Sequence, residues 1–294
     1  MQENNLKSYL ALITSMLIFG TIGIFRKYIS LSSGMLAFLR GIIGSAFLFA
    51  FVRLRGKKFE KLSRKTLWLL ILTGALIGFN WIFLFESYNY TSVSTATMCY
   101  YMQPTILILM SPIAFRERLT AKKLLCALAA IVGMVFVSGI TQGTALQKTD
   151  LTGILFGLAA AVLYASVIVL NKKTPVEDAY TKTILQLISA AVVLIPYLLF
   201  TEDFSAIQVT PREMLLVAIV AVVHTGFAYA MYFGSMRSLK AQSIAVLGYI
   251  DPVFALFLSA IVLHEGLTVS GILGAVLIIG SALISELEFK KRPV

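Results

Sequence analysis

Of 294 residues, 59% are hydrophobic and only 13% are charged, against roughly 25% charged in an ordinary water-soluble domain, so this chain cannot cover a water-facing surface and must be solvated largely by lipid. The formal charge of +11 would suit a polyanionic partner, but the basic residues gather at the ends of apolar runs, which excludes a nucleic-acid module and marks membrane flanks. No Walker A sequence, His-Glu-x-x-His or Gly-x-Ser-x-Gly occurs, which sets aside ATP-driven transport within the chain and the common hydrolase chemistries.

A helix needs about 20 apolar residues to cross the hydrocarbon core. Taken in chain order, the apolar runs predict ten such spans. The first five are residues 6–28, 34–52, 66–87, 93–115 and 122–138. The second five are 152–170, 181–200, 213–235, 242–263 and 268–285. The fold class expected is an all-α integral membrane protein with ten transmembrane helices. Span 1 has no convincing small-residue cleavage site and reads as an uncleaved span rather than a signal peptide. Cys99 and Cys126 sit inside apolar runs and suggest neither a disulfide framework nor a metal site.

With the N-terminus inside, the inner connections collect 20 Lys and Arg residues and the outer ones 4. That bias predicts cytoplasmic termini. Residues 286–294 form a basic cytoplasmic tail.

The second five spans repeat the first. Gln103-Pro104 is followed thirteen residues on by Glu117-Arg118-Leu119-Thr120, and Asp251-Pro252 at the same distance by Glu265-Gly266-Leu267-Thr268. Gly78 and Trp81 of span 3 align with Gly226 and Tyr229 of span 8. Arg40 falls opposite Gln186, and Phe19-Gly20 resembles Tyr164-Ala165. Five is odd, so the second unit starts on the opposite face. The repeats, residues 6–139 and 152–285, are therefore expected to be inverted, the plan of many secondary transporters.

Polar groups inside a bilayer are costly and face a cavity or a partner. Counted at about 1.5 Å per residue, Asn80, Gln103, His224 and Asp251 fall near mid-membrane. Asp251 is either a substrate-amine or proton site, or one half of a structural ion pair with Arg40. Pro252 and Pro104 lack an N–H, so each frees a carbonyl one turn back and kinks its helix. Gln103 either lines a cavity or joins two helices. Arg40 needs an anion: a substrate carboxylate, or Asp251, Glu86 or carbonyls of the protein, unless it snorkels to the interface. His224 either shuttles protons or bonds between helices. Glu117 and Glu265 are expected to pair locally or cap the next helix. Trp81, Tyr101, Tyr229 and Tyr249 sit deep and carry polar handles, which suits either packing or the wall of a cavity for a small amphipathic metabolite. No metal or cofactor is expected.

On the ten spans, the two Pro–Glu–Thr segments and Arg40, the chain resembles the drug/metabolite transporter superfamily, EamA type, over nearly all 294 residues. The resemblance implies a basket-shaped bundle of two inverted five-helix repeats. Spans 1, 3, 4, 6, 8 and 9 would line a central cavity, with spans 5 and 10 outside. It implies export of amino acids or related small amphipathic metabolites across a bacterial plasma membrane by alternating access. The partners expected are a small-molecule substrate and the lipid bilayer, with no nucleic acid and no obligate protein partner. Phe19-Gly20 stands where many members have Trp-Gly, and Asp251 is more acidic than many members show before the second proline. A carrier of phosphorylated or nucleotide-linked sugars would need several intramembrane basic residues, and only Arg40 lies within a span. A membrane enzyme or sensor would need a catalytic constellation or an exposed domain, and neither is visible in the sequence.

Overall fold

The computed structural model describes residues 2–56, 58–116, 118–138, 148–205, 207–236, 239 and 241–286. Among these, every regular element is a helix. In chain order they are α1 (Gln2–Gly20), α2 (Ile22–Lys27), α3 (Ser33–Leu54), α4 (Arg64–Tyr90), α5 (Val93–Tyr100), α6 (Gln103–Phe115) and α7 (Ala121–Val137). There follow α8 (Lys148–Lys173), α9 (Ala179–Thr201), α10 (Pro211–Ile219), a π-helical stretch (Val220–Phe227), α11 (Ala228–Met236), α12 (Ala241–Gly248), α13 (Ile250–Val262) and α14 (Val269–Glu286). Seven stretches are long and apolar enough to cross a membrane, and Val246–Val262 and Val269–Ser285 are shorter apolar helices. The basic tail from residue 287 onward and Glu117 lie outside the described residues.

The chain turns where its sequence supplies caps. The hydroxyls of Ser32, Ser63, Ser92 and Thr120 accept from the backbone N–H three residues on, and Asp178 does the same for α9. Thr210 and Glu213 form a full capping box at α10, so orphan first-turn donors are satisfied by local side chains. The repeated Glu–x–Leu–Thr segments resolve into this chemistry. Thr120 caps α7, and Thr268 accepts from Gly271 N at 3.0 Å at the start of α14. Before them, Arg116 and His264 both adopt the left-handed conformation, with φ of 57° and 54°. Matching residues thus end the preceding helices in the same way.

Where ten continuous spans are predicted, four of the segments are interrupted. The first breaks at Thr21, between α1 and α2. The fourth breaks between α5 and α6, at Tyr101–Met102, and the ninth at Tyr249. Pro104 and Pro252 each sit in the first turn of the second half-helix, where a missing N–H is tolerated. The eighth carries the π-helical stretch, a device that sequence periodicity did not reveal.

In the bundle, α4 packs along α8 and α9, α3 along α9 and the π-helical stretch, α1 along α11 and α13, and α7 along α14. The α7–α14 pair meets backbone to backbone. A methyl added at Gly133 would stand 2.7 Å from the Gly274 carbonyl, and one at Gly274 would stand 2.5 Å from the Gly133 carbonyl. Small residues let helix backbones meet in this way without a side chain between them. Gly133→Ala is therefore expected to lower stability by about 1–2 kcal/mol through overpacking. Gly280→Ala, on the same α14 but in open space, should raise it by up to about 1 kcal/mol through helix propensity. Thermal melting of the two variants in detergent checks the opposite signs.

Candidate functional site

A cavity of about 540 Å³ opens inside the bundle, within the usual range for small-molecule sites. It takes lining from α1 and α2, α3, α4, α5 and α6, α8, α9, α11, and α12 and α13, but from neither α7 nor α14. The expectation that spans 5 and 10 stand outside agrees with this. Spans 1, 3, 4, 6, 8 and 9, expected to line the cavity, all do so, and spans 2 and 7 join them. Arg40 from α3, and Lys182 and Gln186 from α9, line it too, and α3 and α9 pack against each other.

The lining carries the repeat symmetry down to single residues. Phe19 and Tyr164, Trp81 and Tyr229, Tyr101 and Tyr249, Gln103 and Asp251, Arg40 and Gln186 are all wall residues. Aromatic rings form much of the surface. Phe19 meets Tyr229 edge-on at 5.4 Å and Tyr232 at 6.3 Å. Tyr100 meets Tyr101 and Tyr164, each at 5.9 Å between centroids. Such rings offer broad apolar contact with hydroxyl tips that can aim into the cavity.

Asp251 sits in the first turn of α13, just past the helix break. The Tyr101 hydroxyl donates to its Oδ2 at 2.6 Å. This bond joins the first repeat to the second across the cavity wall. Gln103 occupies the matching first turn of α6, and its Oε1 is buried with no hydrogen-bond partner. Helix N-termini carry positive partial charge, so both breaks are places where an acceptor is well tolerated.

Arg40 is 4% exposed. Its Nε donates to Thr225 Oγ1 at 2.7 Å, and its guanidinium lies 4.2 Å from the Trp81 ring and 5.7 Å from that of Phe85. Neither Asp251 nor Glu86 pairs with it; Glu86 instead accepts from Asn89 Nδ2 at 3.2 Å. The π-helical stretch explains why Thr225 is there. Its wider turn lets the Thr225 hydroxyl reach back to Val220 O, five residues earlier, at 3.3 Å.

Two of the midplane candidates do not line the cavity. Asn80 is buried between α4 and α8, and its Nδ2 donates to Ala160 O at 2.6 Å. His224 is buried against Thr21, with Nε2 2.7 Å from the threonine Oγ1. Both join helices in this structure, one of the two roles open to such groups. Counting residues from the span ends says how far along a helix a residue lies, not which way it faces.

Toward the α8–α9 connection the lining ends in a polar cluster. Gln186 Nε2 donates to Thr73 Oγ1 at 2.8 Å and to Asn171 Oδ1 at 2.7 Å, and Lys182 Nζ donates to Asn171 O at 3.2 Å. At the α4–α5 connection the bundle is instead tied shut. The Glu265 carboxylate accepts from Val93 N at 3.0 Å, Ser94 N at 3.3 Å and the Ser259 hydroxyl, and Ser94 Oγ donates to Ser259 Oγ at 2.8 Å. Glu265 thus caps α5 of the first repeat. Of the two roles expected of it, Glu265 pairs locally, with the Ser259 hydroxyl; Thr268 rather than Glu265 caps the next helix.

Comparison with known proteins is consistent with this architecture. The sequence profile of the EamA-like transporter family matches twice, over residues 6–139 and 151–286. The uncharacterized transporter YxxF of Bacillus subtilis is 30% identical over 251 residues, covering 85% of this chain and 80% of its own. Protein PecM of Dickeya dadantii is 27% identical over 224 residues, covering 75% and 74% respectively. A solved crystal structure superposes with a TM-score of 0.64 at 19% identity, covering 97% of this chain and 96% of its own.

Proposed function

The chain belongs to the EamA-like transporter family, and on that premise we propose that it is a secondary transporter that exports small amphipathic metabolites, amino acids or related compounds, across a bacterial plasma membrane by alternating access. The observation that carries this reading is the convergence of five repeat-matched residue pairs on one cavity. Substrate sites of such carriers lie at the interface of their repeats, on broken helices. The breaks at Tyr101–Met102 and Tyr249 put Gln103 and Asp251 in that setting.

The packing supports inverted repeats and ten crossings. The fourth-span helices α5 and α6 pack on α8, and the ninth-span helix α13 packs on α1; α4 packs on α8, and α11 on α1. Each of these contacts has its counterpart with the repeats exchanged. The 20-to-4 bias of Lys and Arg supports cytoplasmic termini. On that orientation the polar cluster at the α8–α9 connection lies on the cytoplasmic side and the Glu265 tie at the α4–α5 connection on the outer side. The partners are then the solute and the lipid bilayer, with no obligate protein subunit. Phosphorylated or nucleotide-linked sugars fit less well, because Asp251 opposes an anion wherever Arg40 attracts one.

Counterflow in proteoliposomes tests the reading. Vesicles preloaded with a pool of amino acids and related metabolites should take up one labelled class saturably, and a pH gradient tests coupling to protons. Folded protein that moves nothing in the pool would overturn the proposed substrate class.

A further inference from the structure

Resting on the transporter reading, we infer that the cavity selects zwitterions, with the anionic group of the solute on Arg40 and its cationic group on Asp251. The guanidinium stays charged at any accessible pH, yet its partners are the neutral hydroxyls of Thr225 and Tyr229 and two aromatic rings. Asp251 in turn is held by the Tyr101 hydroxyl. Among the described residues, no carboxylate forms an ion pair with Arg40 and no cation forms one with Asp251. Opposite charges at such depth ordinarily pair, since each alone is costly. Here both line one cavity and stay apart. Tyr88 and Tyr100 lie within electrostatic reach of both.

A solute carrying both charges answers both walls at once. A singly charged solute leaves one wall uncompensated. The chemistry of each pole fits its group. Nε of Arg40 is committed to Thr225, one face to Trp81, and the Tyr229 hydroxyl takes a further share of the group, which leaves the remaining Nη donors as the place for a carboxylate. Tyr101 occupies Oδ2 of Asp251, which leaves Oδ1 for an ammonium group. An ammonium there also favours the ionised carboxylate. Gln103 Oε1, buried and unpartnered at the matching position, is a further neutral acceptor on the same wall. The rings of Phe19, Tyr164 and Tyr232 would pack the apolar body of the solute.

The test uses purified protein and two sets of probes. One set is phenylalanine, its N-acetyl form (anion only) and its amide (cation only). The other is aminohexanoate with the same two derivatives, which sets the charges farther apart. In at least one set the zwitterion should exchange in counterflow, and stabilise the protein against heat, at least about tenfold more tightly than either derivative. Arg40→Gln should bring the amide level with the zwitterion, and Asp251→Asn should do so for the N-acetyl form. Arg40→Lys keeps the charge and should keep the preference, which guards against a variant that merely misfolds. Equal exchange of a singly charged form by the wild type, a preference that survives Arg40→Gln, or binding of no member of either set would overturn the inference. If the metabolite pool still exchanges in those cases, the transporter reading stands and only the zwitterion rule falls.

Discussion

Asp251→Asn is expected to lower counterflow at least about tenfold while the protein melts within about 0.5 kcal/mol of the wild type. The substitution is isosteric, and the remaining carbonyl oxygen still accepts the Tyr101 hydroxyl now held at 2.6 Å, so the link between repeats survives. What disappears is the charge. A hydrogen bond to a charged group is worth about 1.5–3 kcal/mol, and about 1.4 kcal/mol is a factor of ten in affinity. Loss of that contact to a substrate amine or to a coupling proton therefore falls directly on transport. Tyr101→Phe is the complementary change. It keeps the charge and removes the donor, and a smaller loss should result. Counterflow and thermal melting of both variants decide the matter. An unchanged rate in Asp251→Asn would remove this carboxylate from the mechanism. A large drop in melting with no separate transport defect would make it a structural group.

Much of this arrangement was legible in the residues because the repeat writes each feature twice. The Pro–Glu–Thr segments correspond to a half-helix start, a left-handed turn and a helix cap at matching places. Arg40 and Gln186, paired by alignment, both reach the cavity. Other features had no such signature. Residue counting gave Asn80 and His224 a position along their helices, but azimuth depends on how α4 and the π-helical stretch turn against their neighbours. The π-helical stretch itself shifts register within an apolar run, where hydrophobicity is nearly uniform and carries no phase. The contribution of α9 was also hidden. Lys182 looked like a membrane flank by position, and only its packing beside Asn171 brings it to the cavity.

The choice of Arg40 partner was the least legible of all. Sequence alone allowed an ion pair with Asp251, since their spans come from opposite repeats. The structure instead uses Thr225 and Trp81. A cation–π contact is worth about 2 kcal/mol when desolvated, less than burial of a lone cation costs. The residue therefore holds its position at a free-energy cost that an anionic ligand would offset.

Glu265→Ala is expected to shift the protein away from the conformation described here, with its effect at the α4–α5 connection. In this conformation the Glu265 carboxylate satisfies two first-turn N–H groups of α5 and the Ser259 hydroxyl of α13. It therefore ties the two repeats together at the α4–α5 connection, where α5 and α13 meet. Alternating access requires that contact to part when the cavity opens to that side. Loss of the carboxylate leaves the N–H groups of Val93 and Ser94 without their acceptor, at a cost of about 2–4 kcal/mol to the closed side. A conformation opened there exposes these groups to water and loses less. The equilibrium should move toward it by at least about tenfold. Thr97 is buried on the cavity wall about one turn along α5 and serves as the reporter. In a Cys99→Ala, Cys126→Ala background, Thr97→Cys should resist an impermeant thiol reagent applied at the α4–α5 face. Adding Glu265→Ala should make it react at least about tenfold faster, with the melting transition still cooperative. Unchanged protection in folded protein would reduce Glu265 to a helix cap without influence on access.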